Sequence, residues 1–486
     1  MNDAPLLSLL IFQPLLCAAL LWALPARAVR YMVAAGMVAT LTLACAVAVA
    51  YDPSGPRFQL LERAVWIPGL NVDYLVGVDG LSVLFLPATA LLFLGNLVAG
   101  WNSVREAGGL HWALLFMLQS ATLGIFCALD TVLFFLFWEL SLLPLYFLVA
   151  RWAVTPGGRA AATRYVLIML AGGFPLLLAF VVAATSQAAP TFDLTVLLSA
   201  TLSRSTQVAV FLLSLAGFAC KLPLVPLHTW LPQLALAAPG SLTALLLGLK
   251  VAGYGLIRFA IPLAPDAAQD LHWLLAGLGT VTLLYGAVAM LAQTNLRVVL
   301  AYASVCHVGL AVAGLASYSA SAVQGMVALL LSFSVATGGA FLLLEFLRQR
   351  TGSTDSRALG GAARTMPLLA TGFLVCGLAG VGMPGTSSFP GEFMLILAAL
   401  QGHTGVGLAA LFGLAIAAVA FLSHYRQAFF GPVVRREVAE AEDLRPREWA
   451  VLVIIVVLVV GIGIHPGPWL EIVRPAAEAW AAGVSR

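Results

Sequence analysis

Apolar stretches of about twenty residues recur along the whole chain, separated by short polar connections. Hydrophobic residues make up 62% of the 486 residues, and charged residues only 9%. A soluble domain cannot bury that much apolar surface, because the size of its core is limited by its volume. The chain is therefore predicted to be an all-α polytopic membrane protein.

Fourteen membrane spans are predicted from the apolar windows. Their approximate limits are 5–24, 29–50, 79–101, 110–128, 131–150, 161–185, 206–236, 239–261, 271–292, 296–316, 321–347, 366–401, 404–428 and 449–470. Spans seven and twelve are too long for one straight crossing and contain prolines in their middle. We expect both to be broken helices, which are tolerated where the freed backbone faces protein or a wet cavity.

The arginines support this arrangement and predict its orientation. Two of the 24 basic residues are lysines, so 22 are arginines. Sixteen of the 22 fall in loops on one side of the fourteen-span arrangement, which the positive-inside rule assigns to the cytoplasm. These sixteen are Arg27, Arg30, Arg105, Arg151, Arg159, Arg164, Arg297, Arg348, Arg350, Arg357, Arg364, Arg426, Arg435, Arg436, Arg445 and Arg447. Both chain termini are then expected on the outer side.

The two predicted broken spans are five spans apart. Spans 4–8 and 9–13 are therefore predicted to be two five-helix repeats, each with a broken helix at the same place. Because five is odd, the repeats have opposite orientations in the membrane. We expect one membrane domain over 1–486, with the N-terminal spans at 1–105, a first repeat at 106–262, a second at 268–430, and the last span with its tail at 445–486.

Charged side chains inside the spans are the candidate functional residues. The only two lysines, Lys221 and Lys250, lie in apolar stretches, the first at the predicted break of span seven. Glu139 lies in the middle of span five, and Glu392 follows the break in span twelve. A charge at the centre of a span costs roughly 2.5–3.5 kcal/mol on insertion scales, so such residues are functional candidates by default. A structural role is the alternative for each of the four.

This set of acidic and basic groups is typical of a proton relay, because an apposed glutamate and lysine shift each other's proton affinity. His307 and His228 are candidate intermediate carriers, since an unperturbed imidazole titrates near neutral pH. For His228, a structural hydrogen-bonding role is the alternative. Solvated or snorkelled positions near span ends are expected for Arg258, Glu345 and His424.

Several kinds of site find no support in the sequence. The six cysteines occur singly in apolar runs, without a C-x-x-C or a metal-ligand cluster. No dinucleotide-binding glycine motif or P-loop is present. There is no basic tail, and the net charge is only +3. A metal, iron–sulfur or nucleotide site in this chain, and a nucleic-acid partner, are therefore not expected.

Five segments together resemble a known family. They are FWELSLLPLYFLVARW, KLPLVPLHTWLP, LKVAGYGLIRFAIPLAP, LRVVLAYASVCHVGL and MPGTSSFPGEFMLIL, in this order. They resemble the antiporter-like membrane subunits of respiratory complex I, and the resemblance covers nearly the whole chain. The type that looks most similar is chain M, which has a glutamate at the position of Glu392 where the L and N types have lysine.

The resemblance implies a fourteen-helix fold and a proton-translocating subunit of an NADH–quinone oxidoreductase. It implies that Glu139, Lys221, Lys250 and Glu392 form the proton axis, with His307 in the centre. The expected location is a bacterial inner membrane, with both termini periplasmic and with L-type and N-type subunits, lipid and protons as partners. NAD(H), FMN, iron–sulfur clusters and quinone are expected in partner subunits, and no cofactor in this chain.

The sequence departs from the family pattern after the seventh span. The family usually reads H-T-W-L-P-D there, whereas this chain has Gln233 at the last position and a shortened segment up to residue 243. We expect these changes at the outside end of the channel. Other open functions are a subunit of a multisubunit cation/proton antiporter, the membrane arm of a hydrogenase or inorganic-carbon uptake complex, and a structural scaffold.

Overall fold

The computed structural model describes residues 5–101 and 104–484, without the side chains of residues 26 and 104–107. Arg105 and Arg486, and the predicted domain limits at 1, 105, 106 and 486, lie outside the described side chains. The described residues form a bundle of α-helices with one β-hairpin. The fold class of a helical, polytopic membrane protein is therefore confirmed, and the hairpin corrects the expectation of a wholly helical chain.

The helices of the first half are α1 (Leu6–Leu20), α2 (Ala26–Ala50), α3 (Phe85–Ala99), α4 (Val104–Cys127), α5 (Thr131–Leu140), α6 (Leu142–Trp152), α7 (Gly158–Thr185), α8 (Leu194–Leu197), α9 (Arg204–Lys221), α10 (Trp230–Ala237), α11 (Gly240–Gly248) and α12 (Val251–Gly255). Those of the second half are α13 (Pro265–Asp270), α14 (His272–Leu291), α15 (Leu296–Leu315), α16 (Ala320–Ser332), α17 (Gly338–Thr351), α18 (Ser356–Leu359), α19 (Pro367–Ala379), α20 (Phe389–Gly402), α21 (Thr404–Phe429), α22 (Arg436–Ala439), α23 (Pro446–Ile464) and α24 (Gly467–Val484). Turns of π-helix follow α12 at Leu256–Ala260 and α16 at Phe333–Thr337.

Ten stretches of helix in the described residues are long and apolar enough to cross a membrane. Four shorter apolar helices, α1, α3, α19 and α20, accompany them. Each of the fourteen predicted spans overlaps one or more of the observed helices. The chain is thus a multi-pass membrane protein, and the exact number of fourteen crossings stays a prediction.

Both predicted helix breaks are confirmed. Helix α9 ends at Lys221, and a short 3-10 turn at Leu227–Thr229 precedes α10. Helix α19 ends at Ala379, and α20 begins only at Phe389. Prolines and glycines occupy the two gaps, where they interrupt the helical hydrogen bonds.

A third break was not predicted. Helix α11 ends at Gly248 and α12 begins at Val251, with Leu249 and Lys250 in non-helical conformations. Lys250 therefore lies in a gap of the chain rather than inside a straight span. No proline marks this gap in the sequence, so the apolar window from 239 to 261 gave no sign of it.

The hairpin consists of β1 (Gln59–Ile67) and β2 (Val72–Val78), which pair in antiparallel fashion. Glu62 on β1 accepts hydrogen bonds from the backbone N–H groups of Leu7 (2.7 Å) and Ser8 (3.0 Å). These N–H groups belong to the first turn of α1, where a carboxylate satisfies free donors and complements the helix dipole. The hairpin thereby attaches the first helix to the rest of the fold.

Strand β2 leads into a buried ion pair that the sequence analysis missed. The side chains of Asp79 and Arg258 are 0% and 2% exposed, and the guanidinium donates to both carboxylate oxygens. Arg258 also donates to the hydroxyl of Tyr254 at 2.9 Å. Trp480 of α24 donates to the carbonyl of Ile257 at 2.6 Å. The hairpin, the second half of span eight and the C-terminal helix therefore meet at one point.

The expectation of solvated positions for Arg258, Glu345 and His424 is wrong, because all three side chains are buried. Glu345 accepts a hydrogen bond from the N–H of Gly240 (2.7 Å) and another from Arg348 (2.6 Å). Each ring nitrogen of His424 lies within 2.7 Å of a backbone carbonyl oxygen. Connecting segments and neighbouring helices cover these span ends and supply the partners.

A short backbone motif occurs twice and supports the proposed repeats. Asp130, which caps α5, forms an antiparallel bridge with Asp193, which caps the one-turn helix α8. Asn295, which caps α15, forms the same bridge with Asp355, which caps the one-turn helix α18. In the predicted repeats, α5 and α15 are the second spans, and α8 and α18 follow the third spans. The two bridges thus occupy equivalent places.

The buried ion pair predicts a pattern of stability. Arg258→Met leaves the carboxylate of Asp79 buried without its cationic partner, which should cost about 3–5 kcal/mol of folding free energy. The double variant Asp79→Leu/Arg258→Met should recover much of that loss, because neither charge remains. Thermal denaturation of the detergent-purified protein measures both effects. If Arg258→Met were as stable as the parent, the ion pair between Asp79 and Arg258 would not stabilise the fold.

The arginine asymmetry predicts sidedness. Arg357, Glu440 and Gly69 are all exposed, the first two in arginine-rich loops and the third at the tip of the hairpin. In a background with Cys45→Ala, which removes the exposed native thiol, cysteines at 357 and 440 should react with a membrane-impermeant maleimide from the cytoplasmic side. A cysteine at 69 should react only from the outside. The reverse labelling would refute the orientation.

Candidate functional site

Lys221 is held by uncharged groups at the end of α5. Its Nζ donates to the hydroxyl of Ser141 (3.0 Å) and to the backbone carbonyl of Trp138 (3.3 Å). The same ammonium lies 3.9 Å from the centre of the Trp138 ring, which is within the range of a cation–π contact. The break at the end of α9 brings the lysine to this place, because the chain turns away directly after it.

Glu139 lies next to these contacts but does not pair with Lys221. No carboxylate–ammonium contact within 4.0 Å joins the two among the described ion pairs, so the expected direct pairing is not observed. The buried Oε1 of Glu139 has no hydrogen-bond partner within the described residues. A Cβ at Gly173 would lie 2.2 Å from this oxygen. Gly173 on α7 therefore leaves the space that the carboxylate occupies.

A cavity of about 60 Å³ is lined by both lysines. Ser141, Thr122 and Tyr165 contribute polar groups to its wall. One water molecule needs roughly 10–15 Å³ by the same measure, so several water molecules fit. Lys221 and Lys250, which lie on separate broken spans, thus share one cavity, whose wall is mostly apolar and carries a few polar groups.

Lys250 reaches α15 from the gap between α11 and α12. Its Nζ donates to the hydroxyl of Ser304 at 2.5 Å and lies 5.3 Å from the centre of the Phe333 ring. The gap frees the backbone carbonyl of Gly248, which accepts a hydrogen bond from Ser334 at 3.0 Å. The π-helical turn after α16 therefore supports both the lysine and the broken backbone beside it.

His307 lies one helical turn beyond Ser304 on α15 and faces Glu392. Its Nδ1 is 2.6 Å from the carbonyl oxygen of Ala303, which can only accept, so Nδ1 carries the proton. The other ring nitrogen, Nε2, lies 3.3 Å from Oε1 of Glu392. These two atoms do not form a hydrogen bond with each other. The pair is close enough to exchange a proton after a small rotation of either side chain.

The second break shapes the place of Glu392, whose side chain is buried in the first turn of α20. Gly382 in the gap has a positive φ of 68°, and a Cβ there would lie 1.9 Å from Oε2 of Glu392. Only glycine adopts this conformation easily and leaves this room. Gly382, which directly precedes the M-P-G segment, is therefore required for the observed position of the Glu392 carboxylate.

His228 lies apart from the other predicted residues. Its ring contacts Tyr285 (4.8 Å between ring centres) and Tyr302 (6.2 Å). Its Nδ1 is buried without a partner among the described residues, and no described contact joins it to the four charged residues. The structure therefore brings together Lys221, Lys250, His307 and Glu392 through short contacts or a cavity, with Glu139 adjacent and His228 separate.

Three residues of the site were missed by sequence reasoning. Ser141 and Ser304 hold the two lysines, and Phe333 lies against both Lys250 and His307, the latter with 5.7 Å between ring centres. Ser141 follows Glu139 by two residues, and Ser304 precedes His307 by one turn. These spacings were a usable signal, whereas Phe333 looks like any other apolar residue of its span.

The altered segment after span seven contacts residues of the arginine-rich end. Gln233 accepts a hydrogen bond from Arg164 at 3.1 Å, and Arg297 donates to the carbonyl of Leu236 at 3.1 Å. Both arginines lie near the N-terminal ends of α7 and α15 and belong to the sixteen counted on the arginine-rich side. The altered segment and these arginines therefore share one end, so an outside position of the segment and a cytoplasmic position of the arginines exclude each other.

Comparison with known proteins shows the family to which this chain belongs. The model of the family NADH:quinone oxidoreductase/Mrp antiporter, transmembrane, matches residues 128–417, which is more than half of the chain. This chain belongs to that family. The matched range contains Glu139, Lys221, Lys250, His307 and Glu392.

Individual relatives agree over nearly the full length. NADH-quinone oxidoreductase subunit M of Rhodobacter capsulatus is 32% identical over 97% of this chain and 95% of its own. A chain of respiratory complex I from Thermus thermophilus is 31% identical with a TM-score of 0.91, covering 98% of this chain and 99% of that one. A chain of the Mrp complex from Dietzia sp. DQ12-45-1b, at 22% identity and a TM-score of 0.87 over both full chains, shares the fold. The resemblance to the complex I M type is confirmed.

Proposed function

We propose that the chain is the M-type, proton-translocating membrane-arm subunit of a bacterial NADH:quinone oxidoreductase. Glu139, Lys221, Lys250 and Glu392 form its proton axis, and His307 relays between the last two. NADH oxidation and quinone reduction take place in partner subunits, which hold the NAD(H), FMN, iron–sulfur and quinone sites. Lateral partners are L-type and N-type membrane subunits, and both termini face the periplasm.

One observation carries this proposal, namely the row of buried polar side chains along α15 between Lys250 and Glu392. Lys250 binds Ser304 at 2.5 Å, His307 follows one turn later, and His307 faces Glu392 at 3.3 Å. All four side chains are buried. A hydroxyl donates and accepts, so Ser304 can exchange a proton with Lys250, and the imidazole can exchange one with Glu392. The step from Ser304 to His307 uses a water molecule in the small cavity that both line, because Nδ1 of His307 donates to the carbonyl of Ala303.

The first part of the axis uses water instead of direct contact. The cavity between Lys221 and Lys250 has room for several water molecules and polar atoms on its wall. Glu139 neighbours Lys221 through Trp138, and their charges interact strongly across a medium of low dielectric. Protonation of Glu139 therefore weakens the hold of Lys221 on its own proton, which is the step that couples the two halves.

A second cavity, of about 20 Å³, borders the relay on the side of α19. Ser304, His307 and Cys376 line it. It has room for about one water molecule. A water molecule in this space is a further partner for proton exchange with His307, and this exchange needs no movement of the backbone.

The cation/proton antiporter remains the second candidate, because the matching family includes Mrp antiporters. The identity of 32% to a subunit M over nearly the whole chain favours the oxidoreductase. Purification in mild detergent separates the two. Copurifying flavin and iron–sulfur subunits support the first, whereas only small multispan antiporter subunits would overturn it.

The axis predicts a specific loss of function. Lys221→Ala and Glu139→Ala should each lower NADH-driven proton uptake into inverted vesicles by about tenfold or more, since a relay member is removed. The amount of assembled complex should stay near that of the parent. Arg436→Ala, in which an exposed side chain changes, is the control. Normal uptake in either axis variant refutes its role, and loss of the protein itself indicates a structural one.

Glu392 predicts a difference between two substitutions. Glu392→Gln keeps the volume against Gly382 but cannot titrate, so proton uptake should fall strongly. Glu392→Lys restores a titrating group of reversed charge beside His307, and partial uptake is expected because of like-charge repulsion. Proton flux is compared at equal expression. Full activity of the glutamine variant would show that protons leave His307 by another route.

A further inference from the structure

Unpartnered polar atoms are concentrated at one helix interface. In the described residues, thirteen buried side-chain nitrogen or oxygen atoms have no hydrogen-bond partner. Five of them lie on the consecutive helices α3 and α4, and four belong to residues already assigned to the axis or its candidates. The five are Nδ2 of Asn96, Nδ1 of His111, Nε1 of Trp112, and Nε2 and Oε1 of Gln119. Helices α3 and α4 therefore hold five of the thirteen atoms, of which that of His111 belongs to a ring packed against Trp152 of α6.

One contact and the helical spacing assign Asn96, Trp112 and Gln119 to the interface between α3 and α4. The two helices follow each other in the chain and run in opposite directions. A Cβ at Gly100, just after α3, would lie 3.7 Å from the ring of Trp112. Asn96 lies one turn before Gly100 on the same face, and Gln119 lies two turns after Trp112 on the same face of α4. The three side chains are at most 2% exposed.

The adjacent side of α4, which faces α1 and α2, is packed differently. Phe116 packs against Gly36 of α2, and the hydroxyl of Ser120 donates to the carbonyl of Ile11 at 2.6 Å. Ser120 is as buried as its neighbour Gln119, but its hydroxyl has a hydrogen-bond partner. The hydroxyl of Ser120 thus has a partner on α1, whereas the side-chain amide of Gln119 has none among the described residues.

The interface continues into the cavity of the two lysines. Phe93, one turn from Asn96 on α3, lines that cavity. Leu118 and Thr122, which flank Gln119 on α4, also line it. Trp112 lies toward the other end, next to the connection between α3 and α4, which the arginine count assigns to the cytoplasmic side. The polar stripe therefore runs from that side to the shared cavity.

Water is the partner that these atoms require. A buried polar atom without a hydrogen bond costs about 1–3 kcal/mol, and buried water commonly satisfies such groups. A primary amide both donates and accepts, so Gln119 and Asn96 can orient a chain of water molecules without binding the proton themselves. If the amides had only a packing role, apolar side chains of equal size would serve better.

We propose that Asn96, Trp112 and Gln119 line a hydrated proton-uptake path from the arginine-rich end of the protein to the cavity of Lys221 and Lys250. The inference deepens the proposed function and rests on it. The three residues are positioning residues, because they hold water and do not exchange the proton.

The test uses the complete complex in inverted vesicles. Gln119→Met keeps the length of the side chain and removes both polar atoms, and Asn96→Leu does the same on α3. Gln119→Glu retains the hydration of the site. Ser120→Ala is the matched control, adjacent in sequence and equally buried, but with its hydroxyl bound to the carbonyl of Ile11. NADH-driven proton uptake is measured per NADH oxidised and per assembled complex, with Lys221→Ala as the reference.

The expected result is an about tenfold lower uptake in Gln119→Met and Asn96→Leu, with Gln119→Glu and Ser120→Ala near the parent. Should Gln119→Met assemble poorly, Asn96→Leu decides. Normal uptake in both apolar variants, together with a defective Lys221→Ala, overturns the path alone. Normal uptake in Lys221→Ala overturns the proposed function and the path with it.

Discussion

The interior of a bilayer offers no water to an unpaired backbone group, so a membrane helix can break only where other atoms take over its hydrogen bonds. This chain breaks three of its predicted spans, and each break carries or adjoins one charged residue of the site. At the break after α9, Trp230 donates to the carbonyl of Cys220 at 2.9 Å. At the break before α12, Ser334 donates to the carbonyl of Gly248. The site exists where backbone irregularity is compensated by side chains.

The buried charges of the protein are held in two contrasting ways. Arg258 and Asp79 form a direct ion pair with several hydrogen bonds, which fixes both charges in place. Lys221 and Lys250 instead contact hydroxyls, a carbonyl and aromatic rings. A lysine with neutral partners can lose its proton without leaving an opposite charge buried and unpaired. The first arrangement suits an anchor, and the second suits a group that changes its protonation state.

Span eleven connects the parts of the second half. Ser332 contacts the hydroxyl of Ser388 at 2.5 Å, in the gap before Glu392. The next residue, Phe333, lies against both Lys250 and His307, and Ser334 supports the break beside Lys250. One π-helical turn therefore touches two broken spans.

The sequence by itself determined the class of the protein, since no water-soluble fold hides so much apolar surface. It also located the charged residues, because a rare lysine or glutamate in a span is visible without a structure, and prolines and glycines marked two of the breaks. Tertiary packing decided the rest. The break at Lys250 has no proline, the unpaired state of Glu139 depends on the space at Gly173, and the burial of Arg258 depends on an aspartate 179 positions away. Such features arise between helices, and the period of a single helix carries no record of which neighbour will face it.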